Sequence, residues 1–354
     1  MAIPTEPIGS IPRPQYLLEG MAGFAAGQVS REELGELQEK ALKDTIARFE
    51  QTGSPVISDG EQTKPSFATY PIDGLAALAP DGVVIPFADG HTRQLPVLTS
   101  GPFQYQTYAD AYLTKAKTFT THPVKQAVIA PSAVSLIYPG GGLHGYPREK
   151  FIEDLVDQSE ADIRRCLDAG AATVQLDFTE GRLSVKLDPS KGLLQQFIDL
   201  NNQVLDRFTD QERQRIGVHT CPGGDQDSAH SLDVDYGELL PLLFTLHAGN
   251  FYLQLASEPD RRRVLQVVKD HSGDDQRVFV GVTDPINPAV ETAEQVRDQV
   301  LEAAEYIPAS RLGTCDDCGF SPFADDTSTS RDIAFAKITA RVEGTKLAEA
   351  QLGA

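Results

Sequence analysis

The stretch Arg215-Ile216-Gly217-Val218-His219-Thr220-Cys221-Pro222 decides the reading of this chain: a short β-prone run ends there in two soft metal donors, and a proline stops it. Residues i and i+2 of a strand point to the same side, so His219 and Cys221 can chelate one ion. Six further runs have the same form, β-prone residues closing on a polar or Gly/Pro-rich loop: residues 55–59, 126–130, 173–177, 251–255, 278–282 and 311–315. The N-terminal Thr5-Glu6-Pro7-Ile8-Gly9-Ser10 makes an eighth. Helical periodicity fills the gaps, with residues 148–168 stopping at Ala169-Gly170 and residues 292–306 stopping ahead of Pro308. Strands alternating with helices imply a parallel sheet, and eight such units imply an α/β fold closed as a (β/α)8 TIM barrel.

One segment breaks the rhythm. Between the second and third expected strands, residues 82–86 and 93–97 flank Asp89-Gly90 as a β-hairpin. Residues 73–120 therefore read as an insertion near the barrel mouth, and residues 1–354 as a single catalytic barrel domain. The chain carries 31 basic and 51 acidic residues, a formal charge of −20, so a polyanion would meet a repulsive field and nucleic acid is excluded as an expected partner. Residues 1–7 have neither a basic region nor an apolar run, and no stretch approaches the roughly 18 apolar residues of a membrane span. The expectation is a cytoplasmic protein with no membrane partner, homo-oligomer formation being left open. Four cysteines in 354 residues point to metal or catalytic use rather than a disulfide framework.

Active sites in this fold lie at the C-terminal ends of the strands. Ser10, Glu61, Asp177, His219, Cys221, Asp284 and Cys318 all fall at or just past such ends. The second cysteine segment, Cys315-Asp316-Asp317-Cys318-Gly319, follows the last strand and so returns to the neighbourhood of the first ones. Imidazole and thiolate are preferred zinc ligands, and a catalytic zinc keeps one position free for substrate, which suits the activation of a thiol. Cys315-x-x-Cys318 also fits a redox dithiol, whereas a zinc ribbon would need a second such pair. Cys166, within a helical stretch, reads as a packed small apolar residue. His144, in the glycine-rich loop of residues 138–146, and His230, just after the metal motif, are the histidines open to a proton-donor role. His91, His122, His247 and His271 read as surface or helix-end residues.

These motifs together resemble the C-terminal catalytic barrel of the cobalamin-independent methionine synthases, over nearly the whole chain. The resemblance implies Zn²⁺ bound by His219, Cys221 and Cys318, with Cys318 rather than Cys315 supplying the distant ligand through Asp317-Cys318-Gly319. It further implies that Ile8-Gly9-Ser10, followed by Pro12-Arg13, contacts the carboxylate of homocysteine. Glu61 of Asp59-Gly60-Glu61 and Asp177 of Val174-Gln175-Leu176-Asp177 would hold its ammonium. The expected reaction is transfer of a methyl or larger alkyl group from a donor to a small-molecule thiol.

The chain departs from that family's pattern in several places. It resembles the short, single-barrel members. Where the family places a glutamate zinc ligand this chain has Leu255, leaving Glu258 as the remaining candidate for a fourth ligand. The seventh-strand histidine is replaced by Thr283-Asp284-Pro285-Ile286-Asn287-Pro288, which leaves Asp284 or Asn287 as the general acid. There is no Trp to stack on a folate, the nearest aromatic being Tyr138. The epoxyalkane:coenzyme M transferases are similar too. Their sulfonate acceptor would call on Arg13, Lys64 or Arg182, each of which otherwise reads as a solvated surface charge. A barrel of the uroporphyrinogen-decarboxylase type would need no metal, and a zinc- or thiol-binding protein without catalysis is the non-enzymatic alternative.

Overall fold

Six of the eight expected strands form one parallel ladder in the computed structural model, which describes residues 2–353. In barrel order they are the third (Gln126–Ile129), fourth (Val174–Asp177), fifth (Ile216–Thr220), sixth (Asn250–Leu253), seventh (Arg277–Gly281) and eighth (Leu312–Cys315), each hydrogen-bonded to the next. All but the exposed Arg277 are buried, as strands covered on both faces must be. The first two positions close the barrel by single parallel bridges, Thr5 with Thr314 and Ile57 with Val124. They meet each other where Ile11 N donates to Gly60 O at 3.0 Å and Ser58 Oγ to Gly9 O at 2.7 Å. Pro4, Pro7 and Pro55 explain the brevity, because each removes a backbone donor from the ladder.

Helix Arg148–Asp168 spans the expected residues and turns Phe151, Leu155, Ile163 and Cys166 inward; Ala293–Ala304 starts from a capping box of Thr292 and Gln295. Most apolar residues join one core between helices and sheet. A smaller cluster of Ile8, Tyr252, Phe279 and Cys315 plugs the barrel interior. Beside it Lys125 lies 3.3 Å from the Tyr252 ring centroid and 3.5 Å from Glu6, whose Oε2 accepts from the Tyr252 hydroxyl at 2.6 Å. Burial pulls Lys125 down to about 8. The barrel is thus filled from below, and only its upper mouth is open to a ligand.

The insertion pairs Val84–Pro86 with Thr92–Gln94, centred on Asp89-Gly90 as expected, while Val97–Leu98 pairs with Leu78–Ala79. Its tip docks on the loop after the fifth strand. Ala88 N donates to Ala229 O at 3.1 Å, and Arg93 grips both oxygens of Asp225 at 2.6 and 3.1 Å. No helix among the described residues is long and apolar enough to cross a membrane.

Candidate metal centre

His219 and Cys221 leave the fifth strand on the same side, and the turn after the eighth strand brings Cys318 to them. The ligand atoms of the three residues lie within 4.8 Å of one another. The sulfurs of Cys221 and Cys318 are 3.2 Å apart, too far for a disulfide of about 2.05 Å. Their hydrogen bond holds Cys221 below the usual thiol range, aided by Gly223 N at 3.3 Å, and lifts Cys318 well above it. His219 is buried, and neither of its ring nitrogens has a hydrogen-bond partner. A buried imidazole orphaned at both nitrogens, beside two sulfurs, is the donor set that a tetrahedral soft metal ion satisfies.

The turn that carries Cys318 is held by its neighbour. Asp317 accepts four hydrogen bonds from the loop after the sixth strand: Leu255 N and Ala256 N at 2.8 Å, and Ser257 N and Oγ at 2.7 Å. The approach is close enough that a Cβ at position 281 would meet Asp317 Oδ1 at 1.8 Å, so Gly281 is required there. Burial still raises Asp317 to about 6, against those bonds. Cys315 points instead into the barrel plug, 3.6 Å from Phe279 O, and burial pushes its thiol well up. It shares no site with Cys318.

A cleft opens over the three ligands and is lined by Ile8, Ser10, Glu61 and Asp177, which the structure therefore brings together. Asp177 ends the fourth strand in register with His219. Its Oδ1 accepts from Gln175 Nε2 at 2.7 Å, and burial raises it to about 6 against the pull of His219 and Lys64. Glu61 sits at φ +56°, an uncommon conformation for a residue with a Cβ, fixed by its N–H to Asp59 Oδ1 at 2.9 Å and by Arg13 Nη2 to its carbonyl at 2.7 Å. Ser10 Oγ accepts from Ser321 N at 3.2 Å and packs against Gly319, where a Cβ would come within 2.1 Å.

Several expectations need correction. Glu258 is spent on Arg182 at 2.6 Å and belongs to no metal cluster among the described residues. His144 is exposed on a separate surface hollow with Tyr138 and Arg148, because the glycine-rich loop folds outward. Tyr138 is buried, its hydroxyl donating to Tyr146 O at 2.8 Å. His230 does line the cleft, but its ring is buried against Gly223 and beneath Phe87, and desolvation, with Lys186 and Arg182 nearby, lowers it to about 4. Asp284 lines a second cavity that shares Cys318 and Gly319 with the first. Arg13, Lys64 and Arg182 are buried, not solvated: Lys64 Nζ reaches Glu61 Oε1 at 3.2 Å and Ala127 O at 2.9 Å. The insertion was expected near the barrel mouth, but not which of its residues reach the site: Ile85, Phe87 and Arg93 all line the cleft. The alternating hairpin pattern was a signal for it, and His91, read as a surface residue, stacks on Phe87 and reaches Asp225 at 3.0 Å.

The architecture is that of a solved B12-independent methionine synthase from a Shewanella species in complex with selenomethionine, which matches over 99 % of both chains with a TM-score of 0.78 at 21 % identity. Methionine synthases from Saccharolobus solfataricus and Sulfurisphaera tokodaii are each 23 % identical to this chain, over 99 % of it and 96 % and 94 % of their own lengths. Residues 3–338 match the family described as cobalamin-independent synthase, catalytic domain, and the chain belongs to that family.

Proposed function

We propose that this protein is a zinc-dependent methyltransferase acting on a homocysteine-type amino-acid thiol, with residues 1–354 working as one cytoplasmic catalytic unit on two small molecules, the thiol and an alkyl donor. The observation that carries the reading is His219, buried with both nitrogens unpartnered beside Cys221 and Cys318 at the mouth of a family barrel. Zinc held by these three would take the acceptor thiol as a further ligand and keep it deprotonated at neutral pH. Neither Leu255 nor Glu258 adds a protein ligand.

The residues around the centre bind and orient the acceptor. Glu61 and Asp177 put carboxylate on the cleft wall, while the nearby cations Arg13 and Lys64 are buried and held by protein acceptors, so negative character is left facing the cleft. A ligand ammonium matches it, with Ile8 and Ser10 in the same lining for the carboxylate. That balance favours an amino-acid thiol over a thiol sulfonate, since Arg13, Lys64 and Arg182 are already committed to protein acceptors. The hairpin and His230 exclude water from above, and a neutral His230 supplies no proton near pH 7. Asp284 lines the second cavity beside Cys318, together with Asp225, Asp227, Asp317 and Asp326, and in this reading it is the carboxyl group that handles the leaving group's proton.

Elemental analysis of purified protein tests the centre: about one zinc per chain is expected, lost in Cys318→Ser and retained in Cys315→Ser. The opposite pattern would reassign the ligand. Transfer of a methyl group to homocysteine by the zinc-loaded protein separates the enzyme from a zinc-binding protein without catalysis.

A further inference from the structure

Glu61, Asp177, His219 and Cys221 line the cleft, yet none of them is more than 7 % exposed. An acceptor therefore has to pass a roof, and the inserted hairpin supplies it, with Ile85, Phe87 and Arg93 turned into the lining. The hairpin is slight. Its ladder is three residue pairs, Val84 with Gln94, Ile85 with Arg93 and Pro86 with Thr92, and the outer side chains Val84, Pro86, Thr92 and Gln94 are exposed. A two-stranded ribbon of this size has little stability of its own, so its docking contacts decide where it lies. Its base is fixed separately: Leu78–Ala79 pairs with Val97–Leu98, and Leu98 N donates to Ile137 O at 2.8 Å.

The tip is held chiefly by one side chain. Arg93 Nε and Nη2 donate to the two oxygens of Asp225 at 2.6 and 3.1 Å, and Nη1 donates to Asp325 Oδ2 at 3.0 Å. Its guanidinium also lies 4.3 Å from the Phe323 ring centroid. Asp225 is buried, and every side-chain partner of its carboxylate is on the hairpin, His91 Nε2 at 3.0 Å being the other. Two single bonds complete the docking, Ala88 N to Ala229 O and Asp89 N to Ser228 Oγ, both at 3.1 Å. Asp225 follows Cys221 on the loop after the fifth strand, and Asp325 follows Cys318 on the loop after the eighth. One guanidinium thus ties the roof to both loops that carry the cysteine ligands. A bidentate pair with a buried carboxylate is strong while made, and parting it strands a charge, so the contact works as a catch. We propose that residues 82–97 are a hinged lid that the acceptor must pass, and that Arg93 is its latch, a positioning residue that closes the cleft by pinning the hairpin to the loops of Cys221 and Cys318. The hinge falls between the two short ladders, at residues 80–83 and 95–96. What passes the lid rests on the acceptor reading of the cleft; the motion of the lid does not.

The test compares amide hydrogen exchange in zinc-loaded full-length protein, wild type and Arg93→Gln. Exchange in residues 83–95 is expected to be about 10-fold faster or more in the variant, with the barrel strands and the zinc content unchanged. Homocysteine should leave the variant about 10-fold faster than the wild type in a stopped-flow chase, because release no longer waits on the catch. Unchanged hairpin exchange would overturn the latch, and so would faster exchange spread through the barrel, which is the mark of a merely structural role. Equal homocysteine dissociation from both proteins would overturn the lid. A wild type that holds zinc but takes no homocysteine would sink the acceptor reading instead, and leave the exchange to judge the latch by itself. Should Arg93→Gln not fold, Asp325→Ala removes the exposed arm of the latch and decides by the same measurement: hairpin exchange faster by about two- to threefold upholds the proposal, and no change rejects it.

Discussion

Asp177 stands in register with His219, and in the proposed reading one side chain of the pair serves the acceptor's ammonium and the other the metal that takes its sulfur. Because the residue does its work through charge, Asp177→Asn should weaken homocysteine binding by about 10-fold or more and barely change that of a thiol without an amine, as measured by competition against a common ligand. Loss of zinc in the same variant would instead place Asp177 in support of the metal. The residue-level chemistry was legible where a motif carried its own geometry: His219-x-Cys221 needs only the two-residue repeat of a strand. It was illegible where the partner lay elsewhere in the fold. Arg182 looks like a solvated charge until Glu258, 76 positions away, is folded against it, and Lys64 looks free until the left-handed turn at Glu61 aims a carboxylate at it. Choosing Cys318 over Cys315 depended on family resemblance, since nothing local distinguishes two cysteines three apart. The structure supplies the cause, which is that Asp317 anchors the turn and leaves Cys315 inside the barrel.

Elements hold these residues through a few buried polar links. The loop after the sixth strand and the turn after the eighth are joined by the four bonds to Asp317, so Asp317→Ala should lower zinc affinity by about 10- to 100-fold while the ligands themselves remain. A chelator titration would measure it, and unchanged affinity would show that the turn is held by packing alone. A second link joins helix Arg148–Asp168 to the insertion and to the segment just before it, where Asp162 accepts from the Tyr70 hydroxyl and, at 2.6 Å, from Ala109 N. Burial raises Asp162 from 3.8 to about 6. A carboxyl group raised on folding contributes stability that is present in full below its unfolded pKa and lost as pH climbs through the folded one. Relative to Asp162→Asn, the wild type should therefore gain stability on going from pH 7 to pH 4, by on the order of a few kcal/mol. Parallel denaturation profiles across that window would refute the assignment. At this scale two helices, residues 148–168 and 292–306, and six strands could be read from periodicity, to within a residue or two. The first two barrel positions were legible in place, at residues 5–10 and 55–59, but not in extent, because prolines reduce the expected strands to single bridges.

At the scale of the molecule, charge limits the donor. The formal charge is −20, and the second cavity, which shares Cys318 with the acceptor cleft, is lined by Asp225, Asp227, Asp284 and Asp326 with no Lys or Arg among its walls. The only compact basic run, Arg261-Arg262-Arg263, opens a helix and is already paired with Glu302 and Asp235. Tyr138, nearest in sequence to where a folate-stacking Trp would stand, is buried in the core. A donor with a polyglutamate tail would thus find no Lys or Arg in the second cavity for its charge and no Trp for its ring, only Phe67, Phe87 and Phe323 in the acceptor cleft, and its approach would be opposed by the overall field. The enzyme should turn over poorly or not at all with free methylfolates, and lengthening the tail should not help. Instead, it should accept a smaller or protein-delivered methyl donor. Steady-state assays with homocysteine and methylfolates of increasing tail length measure this directly. Robust turnover that rises with each added glutamate would mean that a basic path forms on binding, and the donor inference would fall while the zinc centre stood.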